Sequence, residues 1–102
     1  MMYKKLKKII KEVIKEFIME TKIYSVKDTV TGNYSTLTTS PIDGVVLREL
    51  SNLMKSKDKS NELYLNRADK QLYCLGTYDV DTGVIKSEVR FVTNLIDLCE
   101  EE

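Results

Sequence analysis

Two runs of mixed apolar and polar residues, 71–80 and 84–92, flank Asp81-Thr82-Gly83, and this arrangement limits the fold more than any other feature of the chain. Three residues ending in glycine suit a type I turn followed by a left-handed position, so the two runs are expected to pair as antiparallel strands. In that register Val80 faces Val84, Tyr78 faces Lys86, Gly76 faces Glu88 and Cys74 faces Arg90, all on one side of the sheet. Ile85, Leu75 with Val89, and Tyr73 with Phe91 project from the other side, which reads as the core wall.

Other extended runs precede this hairpin. Residues 22–28, Lys-Ile-Tyr-Ser-Val-Lys-Asp, are rich in β-branched and aromatic side chains and suit a strand. Thr31-Gly32-Asn33 is a turn signal, and residues 34–39 read as a second strand returning along the first. Ser40-Pro41-Ile42-Asp43 then opens a helix, with Ser40 or Asp43 as its cap, and Val46, Leu47, Leu50, Leu53 and Met54 give that helix one apolar face. The polar loop 55–61 follows. Leu63-Tyr64-Leu65 reads as a short edge strand, and Leu95, Ile96, Leu98 and Cys99 as a closing helical segment.

At the other end, residues 3–18 place Tyr3, Leu6, Ile9, Ile10, Val13, Ile14, Phe17 and Ile18 at helical spacing, opposite a face of lysines and glutamates. This amphipathic helix is too short and too charged to span a bilayer. Its stripe, with Leu6, Ile10, Val13 and Phe17 at its centre, suits packing or self-association into a homodimer; attachment to an anionic membrane surface is the weaker option. The expected fold class is therefore α+β: a small antiparallel sheet of four or five strands, one central helix and an N-terminal amphipathic helical extension. Residues 1–20 form the extension and 21–102 a single domain, since 102 residues are too few for two cores.

Several functions lack their parts. The chain has no histidine and only two cysteines, Cys74 and Cys99, so neither a zinc site nor an imidazole-activated nucleophile can be assembled. Asp79 and Asp81 sit one residue apart in a tight turn, where turn chemistry accounts for them. The chain is expected not to be an enzyme, with no metal, no cofactor and no small-molecule substrate. The 16 basic and 16 acidic residues cancel, which argues against strong nonspecific nucleic-acid binding by the core alone. Six lysines against three glutamates in residues 1–20 could supply a basic edge.

Lys22-Ile23-Tyr24-Ser25-Val26-Lys27-Asp28, Pro41 with the helix after it, and Asp69-Lys70-Gln71-Leu72-Tyr73-Cys74-Leu75-Gly76-Thr77-Tyr78-Asp79-Val80-Asp81-Thr82-Gly83 together resemble the small nonstructural DNA-binding proteins of microviruses of the gokushovirus group. The likeness runs in order over about residues 21–98, while residues 1–18 look like an extension or an upstream start. It implies a protein that handles phage DNA in the cytoplasm of a bacterial host, with no recognised catalytic residues. Low-specificity binding of single-stranded DNA needs ring faces for stacking and cations along the backbone. On the expected open face these would be Tyr78, Lys86 and Arg90, joined by Lys22 and Tyr24 if the first strand is their neighbour. The alternative is a protein-interaction or assembly factor that does not bind DNA.

Overall fold

The computed structural model describes residues 20–99. Strands β1 (Glu20–Asp28), β2 (Thr38–Ser40), β3 (Lys70–Asp79) and β4 (Ile85–Asn94) form one antiparallel sheet in the order β2-β1-β3-β4. Helix α1 (Asp43–Ser56), the single-turn helix α2 (Glu62–Leu65) and 3-10 turns at Arg67–Asp69 and Leu95–Leu98 complete the described chain. The α+β class and the central helix match expectation, and the sheet has four strands. The helix expected over residues 3–18, with Leu6, Ile10, Val13 and Phe17, lies outside the described residues.

One turn is used twice. In Asp28-Thr29-Val30-Thr31-Gly32-Asn33 the Asp28 carboxylate accepts the N–H of Val30 at 2.8 Å, Gly32 N–H donates to the Asp28 carbonyl at 2.7 Å, and Asp28 N–H reaches the Asn33 carbonyl at 2.9 Å. Asp79-Val80-Asp81-Thr82-Gly83-Val84 repeats these bonds at 2.9, 2.7 and 2.9 Å. Both glycines sit at φ 78°, where a side chain would be strained. The carboxylate draws the following N–H groups inward and holds four residues between the paired positions, where the sequence suggested three. As a result Tyr78 pairs with Ile85, Thr77 with Lys86 and Gly76 with Ser87, one step from the expected register. A bulge then restores it, so Cys74 faces Arg90 and Tyr73 faces Phe91 as anticipated.

Three expectations change. The run 34–39 pairs only through Thr38–Ser40 and an isolated bridge from Tyr34 to Lys27. The residue before α1 is Ile42, without a side-chain cap, and Asp43 is the first helical residue. Leu63-Tyr64-Leu65 is helical, because the Asn61 side chain accepts the N–H of Leu63 at 2.9 Å and starts a turn there.

The larger correction concerns which face is covered. Tyr24, Leu72 and Cys74 from the sheet join Val46 and Met54 of α1, Tyr64 and Leu95 in one buried cluster. The core therefore lies on the Cys74 side, and the Tyr73–Phe91 side is the open one. Lys70 closes an end of the covered side: its buried Nζ contacts Asp28 at 3.1 Å and Glu62 at 2.9 Å, tying β1 to α2.

Gly76 marks the bulge, and its φ of +152° leaves no room for a side chain: a Cβ there would stand 2.0 Å from the Lys86 carbonyl oxygen. Because that contact is backbone, Gly76→Ala must distort the β3–β4 ladder, and we expect a loss of about 2–4 kcal/mol in urea denaturation. A change under about 0.5 kcal/mol would contradict this packing.

Candidate functional site

Cross-strand partners share a face, so the register sorts the residues of the sheet. Glu20, Lys22, Tyr24, Val26 and Asp28 of β1 lie on the helix side, with Asp79, Thr77, Cys74, Leu72 and Lys70 of β3 and Lys86 and Arg90 of β4. Thr21, Ser25 and Lys27 lie on the other side, with Tyr78, Tyr73 and Gln71 of β3 and Ile85, Phe91 and Asn94 of β4; Ser25 itself is buried, its hydroxyl donating to the Ser35 carbonyl at 2.9 Å, and the rest of this side is the open face. The acids of these paired positions all fall on the helix side.

The five residues expected to make a DNA surface are thus divided. Tyr24 is fully buried, and its hydroxyl donates to the Asp43 carboxylate. Arg90 grips the same carboxylate with two hydrogen bonds, Nη1 at 2.9 Å and Nη2 at 3.1 Å. The guanidinium and the Tyr24 hydroxyl hold the Asp43 carboxyl down at about 2, with help from the nearby charge of Lys22. Burial, and then the bond to Asp43, raise the Tyr24 phenol above its usual range. Neither the Tyr24 ring nor the Arg90 charge is free for a ligand. Lys22 is half-buried and Lys86 exposed on this same covered side, while Tyr78 alone of the five reaches the open face.

The open face carries a different set. Tyr34 meets Tyr73 edge to face at 5.6 Å between ring centres, and Tyr73 meets Phe91 in the same way at 5.6 Å. Lys27 Nζ stands 5.7 Å from the centre of the Tyr34 ring and 5.6 Å from that of Tyr73. Tyr34 and Phe91 are exposed, at 42% and 47%, although large rings normally seek burial. Beside the rings the Gln71 amide donates to Asn94 at 3.0 Å, leaving paired amides next to the aromatic strip. No carboxylate of the described residues forms an ion pair with Lys27. The strip therefore offers ring faces and edges, an amide pair whose Asn94 end also donates to the Asp97 carboxylate at 3.3 Å, and the Lys27 amine, which has no ion pair among the described residues.

Sequence reasoning assigned Tyr73 and Phe91 to the core and passed over Lys27 and Tyr34. The signal was present in the repeated Asp-x-x-Thr-Gly turn, since four residues between Asp28 and Asn33 set Lys27 opposite Tyr34. Asp79 serves its turn, as expected, spending a carboxylate oxygen on the N–H groups of Asp81 and Thr82. No cluster of metal-ligating side chains occurs among the described residues.

Residues 21–98 match the family described as Phage ORF5 protein. The chain belongs to that family. It is a phage protein, and the match runs from the second residue of β1 to the last of the closing 3-10 turn, covering both faces of the sheet. No curated protein and no solved structure gives a match. Among the described residues no helix is long and apolar enough to cross a membrane.

The Asp43 network makes stability sensitive to acid. Its folded value of about 2 lies below the ordinary 3.8, so the contribution is present above about pH 4 and is lost as pH falls toward 2. Asp43→Asn removes this charge and should cost about 1–3 kcal/mol at neutral pH while making the acid limb of thermal stability between pH 4 and pH 2 shallower. An unchanged acid limb would show that Asp43 is not the linking group.

Proposed function

We propose that the open sheet face binds single-stranded phage DNA with little sequence preference, as a noncatalytic nonstructural protein of a gokushovirus-type microvirus acting in the cytoplasm of the bacterial host. The observation that carries this proposal is the exposed Tyr34–Tyr73–Phe91 strip with Lys27 against two of its rings. Bases present the same kind of π-face whatever their identity, so a row of rings holds them without reading sequence, and a cation beside the row meets the phosphates. The Gln71 N–H that now donates to Asn94 lies beside the rings, where it can turn to a base edge, while the Asn94 amide is also tied to Asp97. Membership of a phage family gives the viral setting, and the resemblance to microvirus DNA-binding proteins supports DNA as the ligand. A chain with balanced charge is suited to modest affinity, in which stacking contributes more than counterion release.

Titration of a fluorescent oligothymidine at several salt concentrations tests this. Phe91→Ala and Tyr73→Ala should each weaken binding about tenfold or more, the usual worth of one stacked base. Lys27→Ala should weaken it less and flatten the salt dependence by about 0.7 in the logarithmic slope, the share of one phosphate contact. Full affinity in the Tyr73 and Phe91 variants would remove this face, and absence of binding by the unmodified chain at low salt would favour a protein-interaction factor.

A further inference from the structure

The rings of the open face form a row that runs across the strands. Tyr34 bridges to Lys27 of β1, β1 pairs with β3 through Ser25 and Tyr73, and Tyr73 faces Phe91 of β4. Neighbouring strands lie about 4.8 Å apart, so the backbone itself sets the scale of this row, and the ring centres stand 5.6 Å apart at both steps. The ring planes turn sharply along it. Tyr34 and Tyr73 are inclined by 80°, and Tyr73 and Phe91 by 73°. Tyr73 stands between two edge-to-face contacts and cannot turn parallel to one neighbour without losing that contact.

This geometry restricts the shape of a bound strand. Bases in a stacked strand lie parallel, about 3.4 Å apart along its axis. Two bases placed on adjacent rings of the row are instead inclined to each other by 80° or 73°, and two placed on Tyr34 and Phe91 have Tyr73 between them. Neither arrangement lets the bases meet face to face. Lys27 Nζ is almost equally far from the Tyr34 and Tyr73 centres, at 5.7 and 5.6 Å, so the cation marks the junction where the phosphate between two splayed nucleotides falls.

We propose, resting on the DNA reading above, that the strip accepts only a locally unstacked strand, one base to a ring, and therefore favours thymidine-rich over adenine-rich single strands. Neighbouring adenines stack strongly on one another and must be separated first, whereas neighbouring thymines have little stacking to lose. Adenine's wider face gains more on a protein ring, but in exchange it gives up base neighbours on both of its own faces. The preference is modest, arises in the strand's own stacking, and needs no hydrogen bond to a base edge.

Titrations of the full chain with short oligothymidine and oligodeoxyadenosine of equal length, at one low salt concentration, test this. Oligothymidine should bind about fivefold tighter or more. Gln71→Ala, which removes the amide beside the rings, should leave that ratio unchanged. The near-ultraviolet circular dichroism of oligodeoxyadenosine, which reports base-on-base stacking, should fall as the strand is saturated with protein. Equal or tighter binding of oligodeoxyadenosine, a bound strand that keeps its stacked spectrum, or a ratio abolished by Gln71→Ala would overturn the inference while leaving DNA binding in place. Failure of both strands to bind would overturn it together with the reading on which it rests.

Discussion

The fold depends on a single carboxylate. Asp43, at the start of α1, accepts from the Tyr24 hydroxyl in β1 and from the Arg90 guanidinium in β4, two strands that β3 separates. A buried phenol without a partner is costly, and so is a half-covered guanidinium; satisfying both at one point fixes the helix over a particular face of the sheet. Once α1 is held there, Val46 and Met54 meet Leu72 and Cys74, and the opposite face is left without a cover from α1. Lys70, bound to Asp28 and Glu62, closes the far end of that layer.

This choice of face partitions the chemistry of the surface. The helix side keeps the acids of the paired strand positions and, with them, Lys22, Lys70, Lys86 and Arg90, so its charges largely neutralise one another. The open side keeps aromatic rings, amides and Lys27. A chain with no net charge can thus display a local surface that is weakly basic and rich in rings, and overall charge is a poor guide to what that surface holds. The exposed apolar residues Ile85, Val89 and Phe91 of β4 continue the same surface toward the sheet edge.

Much of the fold was legible in local patterns. The strand over 22–28, the α1 face of Val46, Leu50 and Met54, and the pairing of Cys74 with Arg90 follow from periodicity and turn composition. The buried face was not legible, because β3 carries apolar residues on both sides: Leu72 and Cys74 compete with Tyr73 and Leu75, and alternation alone cannot rank them. The ranking came from Asp43, forty-seven positions away from Arg90 in sequence, a contact with no local signature. The turn length was misjudged for a nearer reason. An aspartate that bonds its own following N–H groups widens the loop, and the glycine alone does not report this. The candidate site was legible only in its residue types: Tyr78 lies on the open face, whereas Tyr24 and Arg90 serve the core and its anchor.

Residue-resolved NMR during titration with oligothymidine separates binding at the ring-bearing face, which we propose, from binding at the helix-covered one. Shift changes are expected to concentrate at Lys27, Tyr34, Gln71, Tyr73 and Phe91, with Lys22, Tyr24 and Arg90 nearly still. Changes centred on Lys22, Lys86 and Arg90, with the aromatic strip silent, would contradict it.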